Sequence, residues 1–115
     1  MKDLVERAIE LVKLGDYDAM NWDKCLAAKL YEAAVPEADR KAGHLADAYA
    51  STDPLYWALC EHVVNAQPKD LLWPGEEGDD PPRAVSRLAI RAWRSSGRAS
   101  ARGADIALEI LERAL

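Results

Sequence analysis

The sequence predicts an all-α fold, a compact bundle of about five to six short helices around a central apolar helix at about 54–66. Alanine and leucine supply 35 of the 115 residues, against 11 for the β-branched Val, Ile and Thr, a balance that favours helix over strand. Apolar residues recur at three- and four-residue steps and strand-like alternation is hard to find, while Gly and Pro punctuate the chain. At this length and with half its residues hydrophobic, the chain is expected to form a single helical domain over residues 1–115.

The first helix is predicted from Asp3, whose spacing to Glu6 is that of a capping box, with Leu4, Val5, Ala8, Ile9, Leu11 and Val12 as its apolar stripe and Gly15 as its stop. A second is predicted over Ala19 to Val35, where Trp22, Leu26, Leu30 and Ala33 share a face and Pro36 ends the run. A third follows from Pro36 or Glu37 to Tyr49. Asp53-Pro54 is the clearest boundary in the chain: an Asp acceptor followed by Pro suits the N-cap and first helical position of a fourth helix. That helix is apolar nearly all round, which places it at the centre. Leu71-Leu72-Trp73 then reads as a short apolar plug, and residues 74–82 as an exposed acidic loop. A fifth helix runs to about Ser96, broken by Ser95-Ser96-Gly97, and a last one carries Ala104, Ala107, Leu108, Leu111 and Leu115. The four Trp and four Tyr, spread along the helices, are expected to fill the core at helix crossings.

The net charge of −5 is uneven. Residues 1–80 hold 8 basic and 17 acidic groups, whereas residues 81–115 hold 7 basic and 3 acidic ones. The acidic loop thus separates an acidic N-terminal part from an Arg-rich C-terminal helical pair. Arg83, Arg87, Arg91, Arg94, Arg98 and Arg102 follow one another at steps of 4, 4, 3, 4 and 4. On one continuous helix they would fall within an arc of about 100°. Such a row can pair with phosphates or carboxylates of a partner. Equally, it can be a solvated face whose arginines pair within the chain, with Glu76, Glu77, Asp79 and Asp80 of the loop or with acids of the first helix.

Other chemistry is thinly represented. There is no phosphate-binding glycine loop, HExxH or EF-hand motif. Cys25 and Cys60 are expected to be buried and inert, and Cys60-x-His62 has the wrong helical spacing for a zinc pair. His44 is expected on the surface and His62 partly buried and hydrogen-bonded. No catalytic residue, metal site or cofactor is therefore expected. The charged start and the short apolar runs predict neither a signal peptide nor a membrane span, and so a cytoplasmic protein.

The expected function is a small non-enzymatic binding protein, an inhibitor or adaptor docking on a larger protein or nucleoprotein complex through its charged faces, the six arginines and the four loop acids being the candidate contacts. Phage-type inhibitors of host defence complexes are an analogy of class. The alternative is a weak, sequence-tolerant nucleic-acid binder using the arginine row, and self-association through opposed charges is a further expectation.

Overall fold

A computed structural model describes residues 1–36, 39, 51–71 and 79–115. Helix α1 (Lys2–Lys13) buries Val5, Ala8, Ile9 and Val12, the inward stripe read from its spacing. It begins two residues earlier than the Asp3–Glu6 capping box implies, with Met1 at the cap and no side-chain cap bond. The capping box is therefore not made; Asp3 sits in the first turn, where its charge complements the helix dipole.

The second helix starts later than periodicity predicts: α2 spans Leu26–Ala34. Asp18 Oδ1 accepts the Met20 N–H (3.1 Å) and Asn21 Oδ1 accepts the Asp23 N–H (2.9 Å). Short polar side chains that bond the backbone two residues on give it a partner outside a helix, and here they win. Once begun, α2 is enclosed on nearly every side, with eight of its nine residues buried. Its alanines let neighbours approach closely, and its one buried cation, Lys29, has Glu32 Oε2 at 3.9 Å. The predicted third helix, 36–49, lies outside the described residues apart from Pro36 and Asp39, as do Leu72 and Trp73 of the apolar plug. Leu71 closes a 3₁₀ turn, Lys69–Leu71, and packs half-buried on the core.

Helix α3 (Pro54–Asn65) starts where the sequence says it should. Asp53 Oδ1 accepts the N–H groups of both Leu55 and Tyr56 at 3.0 Å, and Pro54 opens the first turn. Asp53→Ala is accordingly expected to lower stability by about 1 kcal/mol, with Asp53→Asn retaining most of it; urea unfolding of the two variants checks this. α3 packs on α2, α4 and α5, but it buries only the stripe Tyr56, Leu59, Cys60 and Val63. Leu55 and Ala58 lie outward, so the most enclosed of the described helices is α2.

Helix α4 (Pro81–Ser95) covers α3 and α2 with Pro82, Val85, Leu88 and Ala89. A 3₁₀ turn (Ala101–Gly103) leads into α5 (Ala104–Arg113), which lies on α1 and buries Ile106, Ala107, Ile110 and Leu111. Leu115, read as part of that stripe, is exposed. The end of α3 is tied to α5 by polar groups. Buried Gln67 donates to the carbonyls of Val63 (2.9 Å) and Ile110 (2.8 Å) and accepts from Arg113. His62 Nε2 bonds the Ala114 carbonyl at 2.8 Å, as a partly buried, hydrogen-bonded histidine should.

The result is an all-α bundle with no strand among the described residues. Its Cα radius of gyration, 12.8 Å, matches the roughly 13 Å of a compact chain this long.

Candidate functional site

α4 has two faces. Its inner face is in the core, which fixes the helix and so fixes where its outer side chains stand. Arg83, Arg87 and Arg94 are exposed and Arg91 is half-buried; at 100° per residue the four occupy an arc of about 80°. The six-residue stripe is shorter than its spacing implies, because the helix ends at Ser95. Arg98 and Arg102 leave it for the connection to α5.

Beyond that break the arginines turn to acids of their own chain. Arg98 grips Glu109 of α5 with two parallel bonds of 2.7 and 2.8 Å. The Glu109 bonds hold the Arg98 guanidinium above its ordinary pKa, and Arg98 in turn holds the Glu109 carboxyl below the usual range. Arg102 Nη1 lies 3.6 Å from Asp18 Oδ2, in the loop between α1 and α2. Neither acid belongs to the acidic loop or to the first helix, the partners the sequence suggested. Such exposed pairs orient side chains more than they stabilise a fold.

On α4 itself the pairing is partial. Arg87 Nε is 3.1 Å from Asp79 Oδ2, an ion pair whose angle is not that of a hydrogen bond, since this buried oxygen has no hydrogen-bond partner. Arg91 Nη1 donates to the Leu71 carbonyl at 3.4 Å. Arg83 and Arg94 have no ion-pair partner among the described residues. Of the loop acids, Asp79 meets Arg87, Asp80 occupies the N-cap position of α4 without a side-chain bond, and Glu76 and Glu77 lie outside the described residues. Among the described residues, the part of the row on α4 without an ion-pair partner thus reduces to Arg83 and Arg94, eleven residues apart, which is about 16 Å along a helix.

The cysteines are as expected: both are buried, and burial pushes the Cys60 thiol well up, out of the range where it would react as a thiolate. His44 lies outside the described residues. Among the described residues no group of three or more His, Cys, Asp or Glu could hold a metal ion, and no helix is long and apolar enough to cross a membrane.

Periodicity hid one surface feature. Trp22, read as a core residue, is 65 % exposed, beside Met20 at 56 %. The signal that could have found it was the run of Asp16, Asp18, Asn21 and Asp23, residues that cap and turn rather than continue a helix. Trp57 and Trp93 are half-buried, while Tyr17, Tyr31 and Tyr56 are buried as expected; Tyr49 and Trp73 are outside the described residues.

No protein-family model, curated protein or solved structure matches this chain.

Proposed function

We propose that this chain is a small non-enzymatic binding protein, an inhibitor or adaptor that docks on a larger protein or nucleoprotein through the outer face of α4. The observation that carries this reading is the pair Arg83 and Arg94, exposed on a helix locked into the core and without an acid partner among the described residues. A guanidinium is a planar fork suited to carboxylates and phosphates, and a helix already held in place adds no ordering cost of its own when it docks. Arg87 is already engaged with Asp79 and is the weaker choice for a contact.

The test compares the wild-type chain with Arg83→Glu/Arg94→Glu in affinity capture from the native host. The expected result is a stoichiometric partner held by the wild type and lost by the variant, both proteins giving the same helical circular dichroism. A partner held equally by the two removes α4 from the interface, and no stoichiometric partner at low salt removes the proposal.

The same two arginines favour a second reading, sequence-tolerant nucleic-acid binding. If two to four phosphates are neutralised, affinity should fall roughly 10- to 150-fold between about 50 and 200 mM salt. Gel retardation of DNA and RNA at both salt concentrations measures it. No retardation at the lower concentration discards this second reading and leaves the first standing.

A further inference from the structure

Leu14, Met20 and Trp22, which are 77, 56 and 65 % exposed, stand in one stretch of nine residues. Single exposed apolar residues are ordinary. This stretch differs because the chain builds a scaffold that holds the tip outward. Tyr17, Ala19 and Cys25 are its buried anchors. The Asp18 N–H donates to the Lys24 carbonyl and the Lys24 N–H to the Asn21 carbonyl, both at 3.0 Å, in addition to the two side-chain turns at Asp18 and Asn21.

Arg102 holds the loop from outside. Its backbone lies at φ 51, the left-handed region that residues other than glycine rarely enter. Its carbonyl accepts the Ala19 N–H (3.4 Å), and its guanidinium lies by Asp18. Arg102 thus holds Ala19 through its main chain and Asp18 through its side chain, and the strained conformation is maintained by these contacts. A tip fixed in this way loses little freedom when it is covered, and tryptophan is prominent among the residues that dominate protein contacts.

The rim points to what covers it. Asp16 and Asp23 are acidic; Lys24, 3.2 Å from Asp16, and Arg102, its side chain 68 % exposed, are basic. Nucleic acid or an anionic lipid surface would meet repelling aspartates, and a protein surface of one sign would meet like charge along part of the rim. A mixed-sign surface around an apolar centre is complementary to itself when a two-fold axis sets its acids opposite its bases. We propose that the Trp22 loop is the contact of a symmetric homodimer. Met20 and Trp22 of one chain pack against the same residues of a second copy, and Asp23 of each copy faces Arg102 of the other. The patch is smaller than a standard interface, so the dimer is weak and reversible.

Sedimentation velocity on the full chain, from about 1 µM to about 1 mM in low salt, tests it. The expected result is a concentration-dependent monomer–dimer equilibrium. Trp22→Ser and Asp23→Arg should each raise the dissociation constant roughly tenfold or more, while circular dichroism stays unchanged. Arg83→Glu/Arg94→Glu should leave the dimer intact, which keeps this contact distinct from the α4 face. A monomer throughout that range overturns the proposal. So does a dimer that Trp22→Ser leaves unaltered, or one that is lost instead in the α4 variant.

Discussion

Tyr56→Ala is expected to destabilise the protein by about 3–5 kcal/mol, the cost of removing a large buried aromatic and leaving a cavity behind. Tyr56 has no exposed surface and stands where α3 meets α2. Its ring meets Tyr31 edge-on, the centroids 5.2 Å apart and the planes at 75°, a geometry worth about 0.5–1.5 kcal/mol beyond simple burial. Its hydroxyl donates to the Ala27 carbonyl at 3.0 Å. Tyr56→Phe keeps the ring and removes that donor, so its cost should be only about 1 kcal/mol. Most of the alanine effect is therefore packing, and the difference between the two variants measures it. Urea unfolding with a common slope gives both numbers. If Tyr56→Ala costs no more than Tyr56→Phe, the ring is not in the core and the α2–α3 contact described above is wrong.

How much of this was readable beforehand depends on the range of each signal. The start of α3 was legible because Asp53 and Pro54 act within three residues, through a side-chain acceptor and a fixed φ. The start of α2 was not, although its cause is also local. Trp22 happens to fall in step with Leu26 and Leu30, so an apolar period continued into a segment where Asp18 and Asn21 had already taken the backbone N–H groups. The arginine row runs at its 4, 4, 3, 4, 4 spacing straight through Ser95-Ser96-Gly97, and periodicity carries no information about where a helix stops; the stop came from those turn-forming residues, and α4 ends there, at Ser95. What remained out of reach was tertiary. Arg98 meets Glu109, and Arg102 meets Asp18, only because the chain turns back after α4 and lays α5 on α1. No spacing in the sequence encodes that return. The candidate contacts could be named from the sequence only as residue types, while the subset without an ion-pair partner among the described residues, Arg83 and Arg94, emerged only from the fold.

The same return makes Gly103 harder to replace than Gly15 or Gly97, the other described glycines. It is buried at φ 80, and a Cβ there would lie 3.2 Å from Cγ of Trp93, an indole held half-buried against the core. Gly103→Ala should therefore suffer twice: about 1–2 kcal/mol for the left-handed backbone and about 1–3 kcal/mol for forcing the indole aside, together roughly 2–5 kcal/mol if the two effects add. Gly97 separates them. It has φ 65 with nothing within 4 Å of its would-be Cβ, so Gly97→Ala should show the backbone cost alone. Trp93→Leu makes the decisive cycle, because the smaller side chain can give way to the new methyl. In the Trp93→Leu background Gly103→Ala should fall to about the Gly97→Ala value, a coupling of about 1 kcal/mol or more between touching residues. Strict additivity would mean that the Trp93 contact is not what forbids a side chain at Gly103. Because Gly103 follows Arg102, whose strained backbone grips Ala19, Gly103→Ala should also loosen the Trp22 loop, seen as faster amide exchange at Ala19 than in the Gly97→Ala protein.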